Sequence, residues 1–176
     1  GGFFGSLRNM LGVQNLCMAF YDQPRLLDRM MEERADRVIE ITTEVLKYTR
    51  IDTFWFWEDM AYNSGPFIGP NMVREFMLPY YRELFDFLRA HGIRYIVLDS
   101  DGDITQLIPL FTEVGVDALL PFEVAANMDV RVVRVPVLLE PEDLEPLLEF
   151  TPTWCLVSRG ADDLYLVEGS ELLAWL

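Results

Sequence analysis

Short apolar runs alternate with longer stretches of helical periodicity over the first two thirds of this chain. The runs occupy residues 53–57, 95–98 and 118–122, and each is rich in aromatic or branched side chains. Residues 70–92 and 104–115, which lie between or beside them, repeat their apolar positions at helical spacing. This alternation predicts consecutive β-α units of a parallel sheet, that is, an α/β fold.

Each apolar run leads directly into acidic residues. Glu58 and Asp59 follow the first run, Asp99 and Asp101 follow the second, and Glu123 follows the third. In parallel α/β folds, polar groups just past the carboxyl ends of the strands are where the chemistry is placed. The sequence therefore predicts one acidic pocket to which three strands contribute.

The amino-terminal region is predicted to be helical. Residues 6–21 are apolar with small residues, which indicates one or two short helices over the mouth or rim of a barrel. Asp22 as N-cap and Pro24 in the first turn predict a further helix that runs to about Tyr48.

The region after the first strand predicts a loop and an interrupted helix. Residues 61–70 are rich in glycine, proline and asparagine, and a helix follows from Pro70. Pro79 predicts a kink or break in that helix, while His91 and Gly92 mark its end. His91 is the single histidine of the chain, and its predicted role is this cap rather than catalysis.

The pattern changes after about residue 129. Residues 104–115 predict the last helix of the repeating units, closed by a glycine. Further on, residues 153–158 and 164–167 predict two strands joined by a turn that contains aspartate. We expect residues 1–129 to form a partial barrel and residues 130–176 to form a small α+β tail of different origin.

Composition limits the classes of partner. The formal net charge of −15 disfavours a nucleic-acid surface and attachment to an anionic membrane. Cys17 and Cys155 lie far apart in no metal-binding spacing, so a reducing, cytoplasmic setting is expected. No apolar run approaches the roughly 18 residues needed to span a bilayer. Because the chain lacks an initiator methionine, we also expect it to begin partway through a longer protein.

Seven short segments, taken in order, carry a family resemblance. They are GSLRNM at 5–10, AFYD at 19–22, EDMAY at 58–62, GPFIGP at 65–70, EFMLPY at 75–80, DSDGDI at 99–104 and PFEVAANMD at 121–129. Together they resemble the uroporphyrinogen decarboxylase superfamily, which also contains the cobalamin-dependent methyltransferases. The resemblance implies a (β/α)8 TIM barrel roughly twice as long as this chain, of which about three β-α units are present.

The resemblance also implies a chemistry. The decarboxylases of this superfamily remove carboxylates from acetate side chains of a tetrapyrrole in porphyrin biosynthesis, without a metal or other cofactor. A carboxylate stabilises the protonated ring. The methyltransferases place a His-x-Cys zinc pair at the positions of Asp99 and Asp101, where hard oxygen ligands suit a thiolate-type zinc site poorly. Zinc-activated thiol methylation is therefore disfavoured, and a corrinoid-linked methyltransferase-like protein without that site remains an alternative.

A third reading is an inactive barrel fragment. Half a barrel cannot close its sheet, so its open strand edges would need a partner chain or another copy of the same chain. The small-molecule partner under the two enzymatic readings is a tetrapyrrole or a corrinoid.

The candidate catalytic residues are Asp99, Asp101 and Glu58. If the three converge, their mutual repulsion should raise at least one pKa, which suits a proton donor or, alternatively, a cation held by oxygen ligands. Strand alternation sends only one of Glu58 and Asp59 inward, and Glu58 is preferred. Asp103 is expected to cap the helix that starts at residue 104.

The candidate substrate-binding residues are Asp59, Tyr62, Glu123 and Arg8. Tyr62 lies in the long loop after the first acidic pair, and Glu123 ends the third strand. Arg8 could pair with a substrate carboxylate or form a surface salt bridge. Trp55 and Trp57 share one face of their strand and could serve as core or as a stacking surface for a macrocycle.

Overall fold

The computed structural model describes residues 1–126, residue 128 and two strands nearer the carboxyl end, and it shows a mixed α/β fold. The helices are α1 Phe3–Leu11, α2 Val13–Asp22, α3 Pro24–Leu46, α4 Pro70–Phe76, α5 Leu78–Ala90 and α6 Ile108–Val114. The strands are β1 Thr53–Trp57, β2 Ala61–Tyr62, β3 Gly65–Pro66, β4 Tyr95–Asp99, β5 Ala118–Leu120, β6 Cys155–Ser158 and β7 Leu164–Val167.

The central sheet has three parallel strands in the order β1-β4-β5. Trp57 lies opposite Asp99 in the register of β1 with β4, and Asp99 lies opposite Leu120 in that of β4 with β5. Their carboxyl ends therefore meet at one edge, as the alternating pattern predicts. Within the described residues the sheet does not close into a barrel, and β1 and β5 are its outer strands.

One face of this sheet packs on helices. Phe56 of β1 is 1% exposed, and its ring lies 6.1 Å from that of Tyr81 and 5.4 Å from that of Phe85, both on α5. Ile96 and Leu98 of β4 lie opposite Phe54 and Phe56 and are fully buried. Since side chains alternate along a strand, Trp55 and Trp57 point to the other face.

The helix that begins at Pro24 departs from the prediction at its cap. Pro24 lies in the first turn as expected, but Gln23 is the N-cap, and Asp22 is the last residue of α2. The physical reason is that the amide of Gln23 still donates to the carbonyl of Ala19, so one residue separates the two helices. The helix ends at Leu46, close to the predicted end at Tyr48.

The break at Pro79 and the cap at His91 are confirmed. The helical stretch divides at Met77, and Pro79 sits in the first turn of α5, where its missing N–H costs nothing. His91 is the C-cap residue, with a ring nitrogen 2.8 Å from the carbonyl oxygen of Phe87. Gly92 follows with a positive φ of 82°.

The third unit begins later than predicted. Helix α6 starts at Ile108 rather than Ile104, because Pro109 favours the first turn of a helix. Asp103 therefore does not cap α6. Its Oδ1 accepts a hydrogen bond from the amide of Thr105 at 3.0 Å and closes a turn before the helix. Gly115 ends α6 in the left-handed conformation, as the sequence indicates.

The carboxyl-terminal region is described only in part. Strands β6 and β7 pair antiparallel, with Cys155 opposite Val167, which confirms the two strands predicted there. The boundary predicted at about residue 129 and the turn predicted between the two strands, at residues 159–163, lie outside the described residues. Within the described part, no helix combines the length and the apolar character needed to cross a membrane.

The contact between Phe56 and α5 predicts a large stability cost for its removal. Phe56→Ala should lower the free energy of unfolding by about 3–5 kcal/mol, since it deletes a buried ring between the sheet and its helix. Urea unfolding followed by circular dichroism measures this. Tyr48→Ala is the matched control because Tyr48 is 85% exposed. Equal midpoints for the two variants would contradict the packing described.

Candidate acidic site

Glu58 and Asp59 leave the end of β1 in different directions. The amide of Glu58 donates to the carbonyl of Asp99 at 2.8 Å and so continues the β1–β4 pairing by one residue. Strand alternation then places the Glu58 side chain on the helix face, with Phe56. Asp59 adopts a φ of 43°, and its side chain reaches the other face of the sheet, on which Asp99 lies.

Glu58 is enclosed rather than displayed to a pocket. Its side chain is fully buried, and its carboxylate accepts hydrogen bonds from the amides of Phe3 at 2.7 Å and Gly5 at 2.9 Å. The hydroxyl of Tyr81 donates to the same carboxylate. Burial raises the pKa of Glu58, while these hydrogen bonds act in the opposite direction.

The expectation that Glu58 faces the pocket in preference to Asp59 is therefore corrected. Side chains do alternate along β1, but the face with Phe56 is the one that packs on α5, so Glu58 joins the buried face and Asp59 the face of Trp55 and Trp57. The three carboxylates that converge are those of Asp59, Asp99 and Asp101.

These three aspartates form the acidic cluster. One carboxylate oxygen from each lies within 4.8 Å of the others. The indole N–H of Trp55 donates to Oδ2 of Asp99 at 3.2 Å. The amide of Asp101 donates to Oδ1 of Asp59 at 3.3 Å, so the loop after β4 is held against the end of β1.

The cluster shifts the titration of its members. Burial, together with the charges of Asp59 and Asp101, raises the pKa of Asp99 to about 6, against the opposing hydrogen bond from Trp55. Burial and the charges of Asp59 and Glu123 also raise the pKa of Asp101, and Arg8 acts against this rise. Asp99 is therefore a group that exchanges a proton close to neutral pH.

Arg8 reaches the cluster from α1. Its Nη1 donates to the carbonyl of Asp59 at 2.8 Å, and its Nη2 lies 3.2 Å from Oδ2 of the same residue. The guanidinium carbon also lies 4.6 Å from the ring centre of Trp57. With its side chain only 20% exposed, Arg8 forms a partly buried ion pair within the site rather than a surface salt bridge.

Glu123 and Tyr62 lie around the loop that follows Asp101. Oε2 of Glu123 accepts a hydrogen bond from the amide of Gly102 at 2.7 Å. The carbonyl of Tyr62 accepts one from the amide of Asp103 at 2.9 Å, while the Tyr62 side chain is 63% exposed at the rim. Gly102 has a φ of 85°, and a Cβ there would lie 2.8 Å from the backbone of Ala61, so only glycine fits.

Two contributors were not predicted as site residues. Ser100 is fully buried, and its hydroxyl accepts a hydrogen bond from the amide of Met60 at 3.0 Å, which ties the β1 and β4 ends together. Trp55 was assigned to core or stacking, and its hydrogen bond to Asp99 was not foreseen. The hydrogen bond could have been predicted only from the register of β1 with β4. This register places Trp57 opposite Asp99, and Trp55 lies two residues earlier on the same face of β1.

The cluster supplies oxygen ligands alone. Three carboxylates at this spacing suit a hard cation such as Mg²⁺ and do not suit a zinc-thiolate centre. The sequence-based prediction assigned no metal and no cofactor to the site, and that remains a prediction.

No protein-family model, curated protein or solved structure matches this chain. The resemblance to the superfamily rests on the seven sequence segments alone.

The raised pKa of Asp99 predicts a pH-dependent stability. The folded state binds this proton more tightly than the unfolded chain, so the free energy of unfolding should fall as pH rises from about 4 to about 6. Asp99→Asn should remove that part of the slope. Urea unfolding at a series of pH values measures it.

Asp86→Asn controls for the loss of one negative charge, since Asp86 is an exposed aspartate on α5 outside the cluster. If both variants retain the same slope as the unmodified protein, the environment assigned to Asp99 is incorrect.

Proposed function

We propose that this chain is a uroporphyrinogen decarboxylase-like protein whose acidic cluster takes part in cofactor-free decarboxylation of acetate side chains on a tetrapyrrole. The observation that carries the proposal is the convergence of three carboxylates, in which burial and the charges of Asp59 and Asp101 raise the pKa of Asp99 to about 6. The fold supports it at a coarse level, because three parallel strands with intervening helices are what three β-α units of a TIM barrel would contribute.

The cluster matches the charges that this reaction develops. Protonation of a pyrrole carbon gives a cationic ring. The bond between the acetate methylene and its carboxylate then breaks, the electron pair moves into the ring, and carbon dioxide leaves. A proton then adds to the methylene carbon, and the ring carbon releases the proton that it first accepted, which restores the aromatic pyrrole. Asp99 is suited to donate a proton, and Asp59 and Asp101 are suited to stabilise the cation.

The surroundings offer groups for binding a flat polyacid. Trp55 is 37% exposed and Tyr62 is 63% exposed, which gives aromatic surface at the rim. Arg8 is the residue suited to meet a substrate carboxylate, in exchange for part of its pairing with Asp59. Under this proposal Glu123 acts by holding the Gly102 loop rather than by contacting the ring.

The proposal predicts activity without added metal. The protein incubated with uroporphyrinogen and a chelator should release carbon dioxide, and Asp99→Asn should lower the rate about 100-fold or more, since it removes the proton donor. Asp101→Ala should also lower it. Asp103→Asn is the matched control, because an asparagine oxygen can keep the turn hydrogen bond to Thr105.

Three measurements distinguish the proposal from its alternatives: carbon dioxide release, the cobalamin absorption spectrum and the elution volume. Absence of carbon dioxide release, or an unchanged rate in Asp99→Asn, would refute the proposal. A shifted cobalamin absorption spectrum on mixing would instead favour the corrinoid-linked methyltransferase. Neither signal, combined with elution as an oligomer, would favour the inactive fragment, whose outer strand β1 would be free to pair.

A further inference from the structure

Helix α1 is attached to the end of β1 by a backbone hydrogen bond, from the amide of its N-cap residue Gly2 to the carbonyl of Trp57 at 2.7 Å, and by two side-chain contacts on opposite faces of the sheet. The first side-chain attachment is the Glu58 carboxylate, which binds the amino end of the helix, and the second is Asp59, which binds Arg8. We propose that Glu58 is a positioning residue: by fixing the amino end of α1, it sets where the Arg8 guanidinium lies in the acidic cluster. The catalytic meaning of this role rests on the proposed function, whereas the positioning itself does not.

The first side-chain attachment is costly to break, because Glu58 is fully buried and water cannot replace a lost hydrogen bond. A fully buried carboxylate is tolerated only where hydrogen bonds replace its hydration. The amides of Phe3 and Gly5 and the hydroxyl of Tyr81 supply them, and the positive end of the α1 dipole adds to the attraction. Arg34 of α3 contributes a further favourable charge near Glu58.

The backbone at the start of α1 lies in close contact with Glu58 and Trp57. A Cβ on Gly2 would lie 1.9 Å from Oε1 of Glu58, and a Cβ on Gly5 would lie 2.4 Å from the carbonyl oxygen of Trp57. The backbone of α1 therefore rests directly on the end of β1. No gap separates the Glu58 carboxylate from the first turn of α1, so a change in its hydrogen bonding acts directly on that turn.

The second attachment lies one turn further along α1. Arg8 there donates to Asp59 and covers the Trp57 ring at 4.6 Å. Because the helix is a rigid element, a displacement of its first turn is carried to Arg8.

The position of Arg8 determines how far its positive charge offsets the negative charges of the cluster. Among the groups that act on Asp101, Asp59 and Glu123 are negative, and Arg8 is positive. Withdrawal of Arg8 would leave the cluster with less compensation for its carboxylates. Glu58 thus acts on the site from outside it, through α1.

The test reads the position of Arg8 by NMR. The Trp57 ring should shift the side-chain protons of Arg8 upfield, and Glu58→Gln should abolish that shift while the amide signals of β1 and β4 show that the sheet is intact. Glutamine keeps the size of the side chain but replaces one acceptor of an α1 amide with a donor. Tyr81→Phe is the matched control: it removes one donor to Glu58, leaves both α1 amide bonds, and should keep the shift.

A folded Glu58→Gln protein that retains the Arg8 shift would overturn the proposal, and so would equal loss of the shift in Tyr81→Phe. If Glu58→Gln does not fold, Gly2→Ala provides the second variant, because its Cβ would lie 1.9 Å from Oε1 of Glu58 and should displace the carboxylate from the α1 amides. Loss of the shift there supports the positioning role, and retention overturns it. No substrate is needed, so failure of decarboxylation would leave this result independent.

Discussion

The register between β1 and β4 is the constraint on which the rest of the structure depends. Trp57 lies opposite Asp99, and the amide of Glu58 extends the pairing to the carbonyl of Asp99. Side chains alternate along a strand, so this register sends Glu58 toward the helices and brings Asp59 to the face of Asp99. A slip of one residue would reverse the two side chains: Glu58 would leave the amides of α1, and Asp59 would be buried among the helices.

The same register lets two neighbouring carboxylates have separate roles. Glu58 is buried among amide and hydroxyl donors and holds α1, whereas Asp59 is partly exposed and pairs with Arg8. Burial, charge and hydrogen bonding, rather than residue type, separate them. The Asp99 carboxylate lies near the negative charges of Asp59 and Asp101 and accepts a hydrogen bond from the indole N–H of Trp55. The site is thus built on adjacent strand ends, with the loop at Gly102 closing it.

Much of this fold could be predicted from sequence because single residues mark where its helices begin and end. Pro79 marks a helix start through its fixed φ and missing N–H, whereas Gly92 and Gly115 mark helix ends because glycine readily adopts a positive φ. The acids at the strand ends were also identified from their positions. The sequence does not show which face of β1 packs on the helices, because both faces of this strand carry aromatic side chains. Asp22 and Asp103 were misassigned for a related reason, since a cap residue is fixed by where the neighbouring helix ends or begins.

The convergence of Asp59 and Asp99 is the central claim, and carbon-detected NMR titration of the Asp99 carboxyl tests it most directly. The pKa of Asp99 should lie near 6 in the unmodified protein and should fall toward its ordinary value in Asp59→Asn, because a neighbouring negative charge is removed. Asp103→Asn should leave it unchanged. An Asp99 pKa that is ordinary from the start, or that does not respond to Asp59→Asn, would contradict the site.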